Sequence, residues 1–343
     1  MLRKLSHFSL VLSIGVLWLI AISGENQEEI NPLYLFSTLE NEPERGIVEI
    51  VRYLRGNDFR IVRIGVSADT KEKQHFIESR ESSPETILKL LAPDQSSKVK
   101  KKAAEAVHLM VSENYGMAQR IGLQNWLPSS HGISDLVVLV KEASAQPTSE
   151  DAVLIGEEAA EAIWALTRLS VDNLEMSVDK GAIPAFVNVI MADLSPRLTM
   201  FACACLKQLL NDQYSTPDGT YSSKARKMFS NEKARKSVVD TPGFVEKLAD
   251  LLKNGRVKES TPREEWPRYA LVDHRLKTSI QGWAAAAAIG TVALNADARA
   301  KFIAAGVLDV LCSMKQSPDS LEQVEVVYAL QGLDEDCSGE SEL

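Results

Sequence analysis

The chain reads as an all-α solenoid of stacked helical repeats, and three observations predict it. First, short segments recur along its length. AAEAV at 103–107 returns as AAEAI at 159–163, EAIWALTRLS at 161–170 as EVVYALQGLD at 325–334, and GAIPAF at 181–186 as GVLDVL at 306–311. Self-similarity at a fixed period is the signature of repeats that bury a shared core by stacking. Second, apolar residues recur at three- and four-residue spacing, as in Ile47, Ile50, Val51 and Leu54. Third, no stretch alternates apolar and polar residues between hairpin signals, as a strand would.

Residues 1–23 read as a targeting segment. Arg3 and Lys4 precede the apolar run FSLVLSIGVLWLIAI, and Ala21 and Ser23 place small residues at the −3 and −1 positions of a cut before Gly24. The run is shorter than the roughly 20 residues that span a bilayer as a helix. A cleaved signal peptide is therefore favoured over an uncleaved anchor. Either way, basic residues before the run and Glu25, Glu28 and Glu29 after it send the remainder across a membrane. Residues 24–45 are polar and acidic with two prolines and read as a flexible linker or cap.

From Gly46 to Asp334 the pattern is helical. The most regular helix contains Trp164, and its equivalents lie near Ile64, His108, Lys207, Ile289 and Tyr328. Their spacing gives a unit of about 40 residues, the size of a two- or three-helix repeat. Wider gaps imply insertions near 128–150, 212–229 and 254–275. One unit can be followed in detail. Asp172 suits the cap of a short helix ending at Gly181, where a left-handed terminus favours glycine. Ile183 to Met191 forms a second helix with Pro184 in its first turn. Arg197 to Leu210 forms the third, with Ala202, Cys203 and Cys205 small enough for close packing. Residues 335–343 read as an acidic disordered tail.

These residues resemble the armadillo repeat family over about 46–334, most closely at 156–190, where EAIWAL followed by GAIPAFV is near the family pattern. The resemblance implies an armadillo-type right-handed α-solenoid of about six helical repeats. Armadillo proteins commonly bind extended peptides on a concave surface lined by third helices, so it also implies a protein or peptide partner. Members that carry nuclear-import cargo place an Asn four residues after a Trp on that surface. Here Trp164 is followed by Arg168, His108 by Ser112 and Tyr328 by Gly332. That ladder is absent, which disfavours import cargo. The candidate wall is His108, Glu157, Glu161, Trp164, Arg168 and Tyr328. Glu157, Glu161 and Arg168 share the face of Trp164 at helical spacing. Two readings stay open: Trp164 as a packing residue or a partner contact, and the charged residues as a solvated face or part of that contact.

A signal peptide, an acidic linker and segments such as NADARAKFIAAGVLDVL and NYGMAQRIG are also similar to armadillo-type nucleotide exchange factors of BiP-type chaperones in the endoplasmic reticulum (ER) lumen. That resemblance implies a co-chaperone that clasps the chaperone's nucleotide-binding domain.

Chemistry is sparse. The sequence has no phosphate loop, dinucleotide fingerprint, nucleophile elbow or His-Glu-x-x-His. The five histidines have no cysteine or second histidine at metal-ligand spacing. Catalytic residues, cofactors and metals are therefore not expected. A net charge of −9 disfavours nucleic acid. The basic run at 224–236 reads as a solvated loop and helix face. Cys203 and Cys205 point about 200° apart on one helix and read as buried packing residues. Cys312 and Cys337 are left free to pair in an oxidising lumen. The expected setting is the secretory pathway, ER lumen or outside the cell. Membrane anchoring with a lumenal domain is an alternative, as is a plastid reached by the secretory route. Membrane contact follows only if the N-terminal segment is retained. Two small features stand beside this: there is no Asn-x-Ser/Thr sequon, and the final Glu-Leu matches the last two residues of a Lys-Asp-Glu-Leu signal.

Overall fold

Serine starts the longest helices. The hydroxyls of Ser96, Ser149 and Ser195 accept from the amides of Val99, Ala152 and Leu198 at 3.4, 3.2 and 3.1 Å. Each satisfies an N–H that the first turn would otherwise leave unpaired. Glycine separates shorter helices. Gly181, Gly243 and Gly306 adopt φ of 83°, 77° and 70°, a left-handed turn that other residues enter only at a cost.

The structure is a computed structural model that describes residues 35–55, 83–112, 117–118, 121, 132–211, 231–254, 280–315, 320–335 and 337. Among them the helices, in chain order, are α1 (Leu35–Asn41), α2 (Pro43–Arg55), α3 (Ser83–Lys89), α4 (Ser97–Val111), α5 (Gly132–Ala145), α6 (Glu150–Leu169), α7 (Val171–Asp179), α8 (Ala182–Ala192), α9 (Pro196–Leu210), α10 (Asn231–Val239), α11 (Phe244–Asn254), α12 (Ile280–Val292), α13 (Ala296–Ala304), α14 (Val307–Lys315) and α15 (Ser320–Leu333). None is long and apolar enough to cross a membrane.

The packing is that of an all-α solenoid. Third helices α2, α4, α6, α9, α12 and α15 form one row, each against the next, and second helices α5, α8, α11 and α14 form another. First helices α7, α10 and α13 complete the three later units. Small residues let the row close up: Ala103, Ala104 and Ala106, then Ala159, Ala160 and Ala162, then Ala202, Cys203 and Cys205, then Ala284–Ala288 are all buried. Larger side chains fill the space between rows. Phe186, Phe244 and Phe302 are fully buried, and truncating any of them to alanine costs about 3–5 kcal/mol.

Units are also joined by lysine. Lys141 Nζ on α5 donates to the Lys180 carbonyl at the end of α7, 3.2 Å away, and Lys253 on α11 donates to the Ala305 carbonyl at the end of α13. Both carbonyls precede a left-handed glycine. The equivalent place beside Gly243 is taken by Met191. There Lys247 instead pairs with Asp193 at 2.8 Å.

Several sequence expectations need correction. Helices start before Gly46: α1 and the first turns of α2 lie within the stretch expected as linker, and Leu39 is buried. A Cβ on Gly46 would sit 2.3 Å from Leu39 Cα, so the two backbones cross there in contact. The stretch 128–150, expected as an insertion, contains α5, whose Ile133, Leu136, Val137, Leu139, Val140 and Ala143 pack inward as a regular second helix. Ser170 rather than Asp172 caps α7, accepting from the Asn173 amide at 3.4 Å. Arg235, in the basic run expected to be solvated, is buried and donates to the Leu210 carbonyl at 2.9 Å. Cys337, placed in the disordered tail, is bonded to Cys312. Helix α2 packs beside α4 at the start of the described row. Ile64, residues 1–34, the insertion expected at 212–229 and, beyond Asn254, the insertion expected at 254–275 lie outside the described residues.

Candidate protein-interaction surface

Residues 157, 161, 164 and 168 follow one another by four, three and four, so α6 displays them as a stripe. On one side α4 brings His108, whose Nε2 lies 3.5 Å from Glu161 Oε1. On the other side α9 brings Arg197. Its guanidinium contacts Glu158 at 2.8 Å, Glu157 at 3.3 Å and Glu161. Ser195, while capping α9, donates its hydroxyl to Glu157 Oε1 at 2.6 Å. Glu157 and Glu158 are only 8% and 6% exposed, so their charges depend on these partners. Burial works against the charge on Arg197. The hydrogen bond that Arg197 donates to Glu158, with the charges of Glu161, Glu158 and Glu157, outweighs it and holds the guanidinium above its ordinary range.

An aromatic ladder adjoins the cluster. Arg197 Cζ lies 5.8 Å from the Phe201 ring centroid, the Phe201 and Trp164 centroids are 6.0 Å apart and tilted by 52°, and Arg168 Cζ lies 4.8 Å from Trp164. Two cations thus sit over two neighbouring rings, an attraction of about 0.5–1 kcal/mol per cation at partly exposed sites. Trp164 is half-buried and Arg168 exposed.

Tyr328 lies apart from these five candidates, on α15 at the far end of the row. Its hydroxyl is 2.9 Å from Thr291 Oγ1 on α12, and its ring lies against Gly290. Lys207 on α9 reaches past α12 to meet both oxygens of Glu325 at 2.6 Å, with its ammonium 4.9 Å from the Tyr328 centroid.

Sequence reasoning missed Arg197, Glu158, Phe201 and Glu325 as members of the surface. One signal was present: Glu161 and Trp164 occupy the same repeat positions as Glu325 and Tyr328, and Lys207 aligns with both aromatics. Cys203 and Cys205 are buried free thiols, as expected. Burial, with a smaller contribution from Asp193, pushes the Cys203 thiol up to about 12. Burial and then Cys203 raise the Cys205 thiol further above its ordinary value. Both therefore stay protonated and poor nucleophiles. Among the described residues no group of three or more His, Cys, Asp or Glu side chains is arranged to hold a metal ion.

No protein-family model matches the chain, and no curated protein matches it either. Solved structures do. An engineered protein from a structural-genomics consortium is 20% identical, with a TM-score of 0.56 over 88% of this chain and 98% of that one. A computationally designed armadillo repeat protein for modular peptide recognition is 18% identical, with a TM-score of 0.53 over 88% and 97%. The armadillo repeats only protein of Plasmodium falciparum is 14% identical, with a TM-score of 0.43 over 88% and 98%. At these identities the first two likenesses establish the fold: this chain is an all-α solenoid of the armadillo type.

Proposed function

We propose that the chain is a non-catalytic protein-binding scaffold of the secretory pathway that receives an extended peptide along its third-helix row. The observation that carries this reading is the Arg168–Trp164–Phe201 stack at the middle of that row. Tryptophan, tyrosine and arginine dominate the energetics of protein interfaces. A stack already fixed by packing presents them at little ordering cost. A similar fold in a protein designed for peptide recognition supports the same use of the surface. The signal-like N-terminus and the Cys312–Cys337 disulfide support an oxidising compartment, where such bonds persist.

The test is affinity capture from that compartment with the mature chain and with Trp164→Ala/Arg168→Ala. The double variant should keep its helical circular dichroism and lose at least tenfold in partner capture, about 1.4 kcal/mol or more. Undiminished capture removes the surface from consideration. Sequencing of the mature N-terminus should find a start near Gly24. An intact Met1 on a chain whose solenoid is digested by cytosolic protease would overturn the location.

A second reading uses the same compartment, for which the disulfide is again the favouring observation: a nucleotide exchange factor for an ER-lumenal BiP-type chaperone. It demands faster nucleotide release from that chaperone when the folded chain is added at micromolar concentration. Unchanged release eliminates it and leaves the scaffold reading in place.

A further inference from the structure

We propose that the Cys312–Cys337 disulfide is a redox latch on α15, the last third helix among the described residues. Oxidised, it holds α15 in the row; reduced, it lets α15 open while the earlier repeats stay folded. The argument begins with connectivity. Cys312 lies on α14, Cys337 follows the last turn of α15, and their Cα atoms are 5.5 Å apart across a separation of 25 residues. The whole of α15 sits inside the closed loop.

Position in the row supplies the need for such a tie. Helices α4, α6, α9 and α12 each have a third helix on both sides. Helix α15 packs on α12, α13 and α14, and its other side leaves Val324 62% and Val327 40% exposed. A repeat with a neighbour on one side gains half the stacking energy of an internal one. Local opening is therefore easier there than in α4, α6, α9 or α12. The seam with α12 relies on backbone contact: Gly332 lies directly on the Gly290 peptide. Contact of that kind fades quickly once the helices separate. A cross-link between the ends of the α15 loop limits the conformations open to a detached helix and so disfavours detachment.

The bond is also the reactive sulfur site among the described residues. Cys337 is half-buried, whereas Cys203 and Cys205 are enclosed with raised thiols. A dithiol reductant supplies the chemistry. Its thiolate attacks the Cys337 sulfur, the S–S bond breaks, and Cys312 leaves as a thiolate that takes up a proton. The second reductant thiol then displaces Cys337 as a thiol and closes the reductant's own disulfide. Two electrons pass to the protein and the reductant is oxidised by two. Opening α15 carries Glu325 and Tyr328 away from Lys207, so the far end of the third-helix surface exists only in the oxidised chain.

Hydrogen exchange followed by mass spectrometry on the full chain tests this, with and without dithiothreitol, beside Cys312→Ser/Cys337→Ser. Peptides covering α15 should exchange at least tenfold faster after reduction, with α4, α6 and α9 unchanged. The double variant should match the reduced chain whether or not dithiothreitol is present. Equal protection of α15 in both forms overturns the latch. So does protection lost throughout α4, α6 and α9, which would make the bond a global staple. A non-reducing digest of the protein from its own compartment that lacks the 312–337 cross-linked peptide overturns it as well.

Discussion

Glu161 and Trp164 on α6, and Glu325 and Tyr328 on α15, are the same pair of repeat positions used in two ways. On α6 the acid is held by neighbours from both sides, His108 and Arg197, and the ring carries Arg168 from four residues on. On α15 the acid is held by one cation from two third helices back, Lys207, and the residue four on is Gly332, which lets α15 sink onto α12. The side chain four positions after the aromatic thus decides between display and packing. Arginine there builds the surface outward, and glycine gives the ring up to the seam. The α6–α9 seam is joined by charge and the α12–α15 seam by backbone contact, so different perturbations should break them.

The largest effect is expected from Arg197→Ala. Three largely buried carboxylates would lose their common partner, at a cost of about 3–5 kcal/mol in denaturant unfolding. Adding Glu157→Gln, Glu158→Gln and Glu161→Gln should return most of that loss. A deficit that persists in the combined variant would mean that Arg197 acts through its packing on Phe201 rather than through charge.

Gly332→Ala addresses the other seam. Its Cβ would lie 2.1 Å from the Gly290 oxygen, and backbone cannot move aside as a side-chain tip does. A loss of about 1–3 kcal/mol is expected, insensitive to added salt, together with a weakened Lys207–Glu325 contact. An unchanged melting temperature would show that the two helices can separate freely.

These seams also show how much the sequence discloses. The third helices and the stripe at 157, 161, 164 and 168 are legible because both follow from spacing along one helix. Arg197 was not, because its partners lie 36 to 40 residues away and which helix they face depends on how the units stack. Helix α5 was hidden by the irregular length of its unit, and α1 by the polar, acidic stretch that surrounds it, although Leu39 is buried. The cap at Ser170 was masked by Asp172, an equally good capping residue two positions on; the φ of −149° at Ser170 shows which of the two lies outside the helix.

The smallest effect concerns a single carboxyl on the joining helix α7. Burial, then Asp172 and Asp179, hold the Glu175 carboxyl above its ordinary range. The unfolded chain therefore ionises at this position first as pH rises. The group favours folding below the ordinary carboxylate value, and that advantage is lost as pH passes the raised folded value. Glu175→Gln should be neutral in acid and stabilising above that window, within the roughly 0.5 kcal/mol typical of surface substitutions. A gain of equal size at every pH would point to a cause other than ionisation.

The placement of the sulfur bridge also changes what proteolysis can do to this molecule. A cut anywhere between Cys312 and Cys337 leaves the C-terminal fragment covalently attached. On a non-reducing gel the nicked protein stays near its full mass, and the smaller piece separates only after reduction. Cleavage there alters the chain without shedding any of it.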